Sequence, residues 1–133
     1  MDCQITFEGE LMLINLSGPM TNEDFEDLAR LVREAEITRP RIPHRLTDIS
    51  RLTEIHLTFK SMSERIHLRK HLGFPNEFKS AIFAPEPLHY GVARMFQAVN
   101  NHHQIDIQVF REMVAARVWL ASDQPSSTGE CNF

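Results

Sequence analysis

The sequence predicts an α/β domain built on a mixed, mostly parallel sheet, and three observations lead there. Strand-like apolar segments alternate with segments whose apolar residues recur at helical spacing, in the order ββαβαβαβα. The first two strand segments are separated only by Glu8-Gly9-Glu10, which suits an antiparallel N-terminal hairpin. Ser80-Ala-Ile-Phe-Ala84 is a short continuous apolar run, the pattern of a strand buried on both faces of a parallel sheet. Crossovers between the parallel strands are then right-handed.

Ile5 and Phe7 alternate with polar residues, and Leu11-Met-Leu-Ile-Asn-Leu16 forms the second arm of the hairpin. Ser17-Gly18-Pro19 is expected to break that arm. The first helix opens with Thr21 as N-cap, Asp24 as the acid of a capping box, and Met20 and Phe25 at the spacing of a hydrophobic staple. Phe25, Leu28, Ala29, Val32 and Ala35 give its apolar stripe, and Glu23, Glu26, Asp27, Arg30 and Arg33 fill the other face. Residues 37–43 read as a linker. A third strand follows through Leu46 and Ile49 and ends at Asp48-Ile49-Ser50, whose side chains favour turns.

Residues 51–57 read as a loop, after which Thr58 caps a second helix, with Leu57 and Met62 as its staple. This helix is expected over residues 59–72, stopped by Gly73-Phe74-Pro75 with the glycine as C-cap. Phe59, Met62 and Ile66 form one apolar group on it, and Leu68 and Leu72 lie well round from them. After the strand at Ser80–Ala84, Pro85-Glu86-Pro87 turns the chain and Pro87 opens a third helix with the stripe Leu88, Val92, Met95, Phe96 and Val99. Ile105, Ile107 and Val109 alternate with polar residues as the fifth strand. A fourth helix over residues 111–121 is anchored by Met113, Val114, Trp119 and Leu120. Residues 1–121 thus make one domain, and residues 122–133 read as a flexible tail.

Composition removes several function classes. A formal charge of −4 over 133 residues offers no basic face for nucleic acid. No apolar run approaches the ~20 residues that span a bilayer, so stable membrane insertion is not expected. Cys3 and Cys131 form neither a metal spacing nor a disulfide framework. Met1-Asp-Cys-Gln carries no secretion-signal pattern, so the cytoplasm is the expected compartment, with both thiols reduced. Glu64, His67 and His71 share a helical face, but Lys60 lies on it too, and a solvated face is the simpler reading. His102-His103 suits a helix C-terminus. No metal or cofactor is expected.

The sequence contains neither Gly-x-Ser-x-Gly nor a glycine-rich phosphate loop. Asp48, Ser50, Thr53 and His56 would resemble a hydrolytic set if they converged at the top of the sheet, although Asp and Ser at a strand end are ordinarily turn formers. Arg94 is placed to bridge to an acid such as Asp48.

The element order, with Leu46-Thr-Asp-Ile-Ser50 closing the third strand, resembles the STAS fold of bacterial anti-sigma factor antagonists. The run Ala84-Pro-Glu-Pro-Leu-His-Tyr-Gly-Val-Ala-Arg-Met-Phe96 and the ending Val109-Phe-Arg-Glu…Val118-Trp-Leu-Ala121 are similar to segments of the SpoIIAA-like branch, over roughly residues 4–121. The resemblance implies a non-enzymatic domain that docks a protein partner through residues 50–66. STAS antagonists carry an Asp-Ser pair, phosphorylated by a partner kinase, at the start of the second helix. Here that pair falls at His56-Leu57, leucine accepts no phosphate, and Thr58 is the nearest hydroxyl. The fold is also related to that of CRAL-TRIO lipid carriers, which implies a small apolar or lipid-like ligand instead.

The expected functional surface therefore lies at the carboxyl end of the third strand: Asp48, Ser50, Leu52, Ile55, His56, Leu57 and Thr58, joined by Pro85 and Arg94. Leu52, Ile55 and Leu57 either dock an occupant there or fold back to cap the core. An unrecognised enzyme is the third alternative. Leu68 and Leu72 would supply an apolar patch for a homodimer.

Overall fold

The computed structural model describes residues 1–69 and 73–122. β1 (Asp2–Glu8) and β2 (Leu11–Thr21) form the antiparallel hairpin, and β3 (Arg45–His56), β4 (Phe78–Phe83) and β5 (Ile105–Phe110) add in parallel, so the sheet follows sequence order. α1 (Asn22–Glu36), α2 (Phe59–Leu68) and α3 (Pro87–Val99) fill the successive crossovers. Each crossover steps the same way across the sheet, and right-handed connections then place all three helices on one face. α4 (Met113–Ala121) covers the other face, against β4 and β5. The order is the ββαβαβαβα read from the sequence.

Local chemistry explains the joints. Gly9 takes a positive φ of 63° in the two-residue hairpin link, where a side chain would be strained. The Thr21 hydroxyl accepts from the Asp24 N–H at 3.2 Å, and the Asp24 carboxylate accepts from the Thr21 N–H at 2.9 Å. That backbone donor holds the Asp24 carboxyl below its usual range. Met20 and Phe25 are both buried beside it. Thr58 caps α2 by accepting from the Ser61 N–H at 3.1 Å.

Met12, Ile14, Leu16, Ile49, Leu52, Ile82 and Ile107 face α1–α3, and Leu46 and Ala81 face Ala116 and Leu120 of α4. β4, flanked by β3 and β5 and buried on both faces, is the near-continuous apolar strand expected.

Two expected interruptions are absent. β2 continues through Ser17-Gly18-Pro19 to Thr21, and β3 continues through residues 51–56 where a loop was expected. The ladder slips between the pairs Asn15–Asp48 and Ser17–Arg51, and again between Gly18–Leu52 and Pro19–Glu54. Each slip places an extra residue in β3, so side chains three apart return to the same face. Ile49, Leu52 and Ile55 consequently all face the helices, at a spacing that does not read as a strand period of two. Gly18, at a φ of 82°, absorbs the second slip, and Pro19 is tolerated beside it. At the first slip the Asp48 carboxylate accepts from the Ser50 N–H at 2.9 Å and the Ser50 hydroxyl at 2.6 Å, a side-chain substitute for regular pairing.

Smaller corrections follow from helix rotation and length. α2 ends at Leu68 with Arg69 as a right-handed C-cap, and Gly73 is not in the left-handed conformation expected of a cap. His71 and Leu72 lie outside the described residues, as does nearly all of the expected tail. On α3 His89 is buried in place of Leu88. α4 starts at Met113, and Val114 points outward, because Met113, Ala116 and Leu120 form the inward face at spacings of three and four.

His44 gives the fold a pH dependence. Its Nδ1 accepts from the Lys79 N–H at 2.9 Å, which requires an unprotonated Nδ1. Burial, then the charges of Lys79 and Arg41, hold its pKa below the ordinary 6.5. As pH falls, the unfolded chain takes up this proton first. The stability due to neutral His44 is therefore complete above the unfolded value and is lost as pH drops through the lower folded one. The urea midpoint of the wild type is expected to fall between about pH 7.5 and about 5.5 by more than that of His44→Gln, whose amide oxygen can accept without titrating. Identical pH dependence of the two proteins would contradict this.

Candidate functional site

The sheet and the α1–α3 layer leave between them a partly open cavity of about 650 Å³. Small side chains at facing positions, Thr47 and Ser80 on the sheet and Ala93 on α3, leave this space between the larger aliphatics. The volume falls within the ~300–1,000 Å³ of small-molecule sites. The space is one for an occupant or for solvent.

Topology gives the cavity two unlike ends. Under the carboxyl ends of the strands it is lined by Met20, Phe25, Leu52, Ile55, Leu57 and Met62. The bulged extension of β2 and β3 supplies three of these and roofs that end. At the other end, where α1–α3 finish and β3 begins, Arg33, Glu36, Arg45, Arg69, Asn100 and His102 line it. Glu36 is only 1% exposed. Its carboxylate accepts from Arg45 Nη2 at 2.5 Å and lies 3.7 Å from Arg33 Nη1. The Arg45 guanidinium sits 4.7 Å from the centre of the Phe78 ring, and its Nε is buried without an acceptor. Burial draws Arg45 below its ordinary pKa, with Glu36 opposing the shift. Arg69 is likewise lowered by burial, with the Glu26 charge opposing, and its guanidinium has no hydrogen bond or ion pair with any described residue. An ion pair between Glu26 and Arg65 ties α1 to α2 along the cavity's flank.

The expected site residues separate into two groups. Leu52, Ile55 and Leu57 turn inward and line the cavity together. The rest stay outside it. Asp48 and Ser50 bond to each other, and His56 pairs with Glu54 at 2.9 Å. Thr58 is engaged as a cap, and the Pro85 carbonyl accepts from Arg111 Nε and Nη2 at 3.3 and 3.0 Å. Arg94 is exposed over the Tyr90 ring at 6.0 Å and forms no ion pair with Asp48. Asp48 and His56 stand eight residues apart on one strand, roughly 25 Å at ~3.3 Å per residue, so the hydrolytic set does not assemble.

In the sequence Glu36 is not singled out, Arg45 ends a locally basic connection whose simpler reading is a solvated loop rather than an anion site, and Arg33 and Arg69 read as charges on helix surfaces. The available signal was an Arg-x-x-Glu pair in the last turn of a helix, followed by an arginine opening the next strand. No group of three His, Cys, Asp or Glu side chains among the described residues is placed to hold a metal. No helix among them is long and apolar enough to cross a membrane.

No family model and no curated protein matches the chain. Among solved structures it is similar to an uncharacterized protein of the DUF3478 family from Shewanella loihica PV-4, described as having a SpoIIAA-like fold. The two are 19% identical, the match covers 90% of this chain and 93% of that one, and the TM-score is 0.56. The fold is SpoIIAA-like, as the sequence resemblance implied.

Proposed function

We propose that this domain binds a small, elongated apolar ligand in the cavity beneath α1–α3, and acts by holding or sensing that ligand rather than by transforming it. The observation that carries the reading is the cavity itself, about 650 Å³ walled mainly by aliphatic side chains. Burial of an apolar chain there would contribute ~0.8 kcal/mol per CH₂, enough for a tight complex without any specific polar contact. The test is a fluorescence titration with N-phenyl-1-naphthylamine, a neutral apolar probe. Saturable enhancement at one probe per chain is expected, and a linear, unsaturable rise would overturn the reading.

A second reading, docking of a protein partner at the outer rim, is favoured by two exposed side chains. Phe59 and Leu88, each 56% exposed, stand in the first turns of α2 and α3, Phe59 beside the cap Thr58 and Leu88 just after Pro85. Under either reading the domain works without the usual phospho-switch, because Leu57 occupies its position. Leu68, 77% exposed on α2, makes self-association the related expectation. Light scattering at micromolar concentration should give a dimer that Leu68→Glu dissociates, and a wild-type monomer would count against it.

A further inference from the structure

We infer that the cavity's ligand is an amphiphile: a single apolar chain with an anionic head, the head seated among Arg33, Arg45 and Arg69. This rests on the proposed function and narrows it. Arg33, Arg45 and Arg69 line the polar end, and of the carboxylates that line the cavity Glu36 is engaged with Arg33 and Arg45, Glu26 with Arg65 and Asp27 with Arg30. Arg45 keeps a buried Nε without an acceptor, and the Arg69 guanidinium has no hydrogen bond or ion pair among the described residues. Buried donors without acceptors are costly, and arginine suits carboxylate and phosphate oxygens by its planar fork of N–H groups.

The obvious competing role for these arginines is to neutralise the carbonyl ends of the helices that finish at this end. Those carbonyls are met in other ways. The Ile37, Thr38 and Arg39 N–H groups bond the Arg33, Ala35 and Glu36 carbonyls, and the Arg69 N–H bonds that of Ile66. The Thr38 hydroxyl adds a bond to Ala35. The guanidiniums are therefore not spent on those carbonyls, and the donors that Glu36 does not engage are left to serve a ligand.

The two ends also order the ligand. Leu52, Met20 and Met62 are buried and close the apolar end, so a chain inserts tail first. Arg33, 50% exposed, reaches solvent at the other end and leaves the head at the mouth. At the mouth an anionic head keeps part of its hydration while it pairs with the guanidiniums, which limits its desolvation cost.

Displacement of N-phenyl-1-naphthylamine by dodecanoate, dodecyl phosphate and dodecanol separates chain from head. Wild-type protein should bind at least one of the anions on the order of tenfold or more tightly than the alcohol, the scale of a charge-assisted hydrogen bond. Which anion leads identifies the head as carboxylate or phosphate. Arg33→Gln and Arg69→Gln, both at partly exposed positions, should lose most of that preference while dodecanol affinity stays unchanged. Equal affinity for all three compounds would overturn the inference while leaving the apolar site intact. So would an anion preference that survives both substitutions, or failure of all three compounds to displace a bound probe. If the probe itself does not bind, the proposed function fails and the inference falls with it.

Discussion

Replacing Glu36 by alanine is expected to lower the free energy of unfolding by about 3–5 kcal/mol, the usual cost of removing one partner from a buried ion pair. The carboxylate is almost wholly buried, and its loss leaves Arg45 largely buried beside Arg33 with no balancing charge. A loss of that size is a large part of the ~5–15 kcal/mol that holds a domain of this class together. Converting Glu36 and Arg45 together to methionine should recover most of the loss, since buried ion pairs often exchange for packed apolar groups at little net cost. Urea unfolding of the single and double variants checks both statements. A loss below about 1 kcal/mol in Glu36→Ala would mean that water reaches the pair freely.

The second large effect belongs to Lys79 and the opposite face of the sheet. Its ammonium donates to the Trp119 carbonyl at 2.8 Å and to the Ser122 carbonyl at 2.5 Å, so a buried lysine caps α4 from β4. α4 spans Met113–Ala121 and buries only Ala116 and Leu120 fully, so it depends heavily on this anchor. Lys79→Met keeps the aliphatic stem but removes the donors, and should cost about 1.5–3 kcal/mol, the range for hydrogen bonds to a charged group. Trp119 is the single tryptophan, so its emission reports on α4 alone. In Lys79→Met the emission should shift to the red at urea concentrations below the main unfolding transition. A tryptophan transition that coincides with global unfolding, at the wild-type midpoint, would show that α4 does not need the lysine.

Those two residues also show what could be read in the chain beforehand. Thr21, Asp24 and Thr58 announce their helices through contacts within four residues, so local chemistry is enough to find them. The order of elements was legible for the same reason, and a SpoIIAA-like sheet follows from it. The bulged arm was not legible, because two ladder slips turn strand periodicity into a spacing of three. Lys79 reads as an ordinary polar residue beside an apolar run until α4 is folded against it. Glu36 occupies the polar face of a helix in sequence, and only the return of β3 beneath α1 brings Arg45 to it. The cavity was the least accessible feature of all. It depends on which facing side chains are small in three dimensions, and Thr47, Ser80 and Ala93 come from three different elements. Leu52, Ile55 and Leu57 stand out in the sequence as apolar residues in a polar segment, which does not choose between an outward and an inward course, and in the fold they line the space.

The most direct test of the apolar site is the substitution Ala93→Phe, followed by the same N-phenyl-1-naphthylamine titration and by urea unfolding. Ala93 is buried and lines the cavity, so a phenyl ring there should enter open space. The expected result is loss of saturable probe binding with stability equal to or above that of the wild type, as filling a void with apolar atoms requires. A stability loss of about 1–3 kcal/mol, the penalty for overpacking a core that is already full, together with unchanged probe binding, would contradict the existence of a ligand cavity between the sheet and α1–α3.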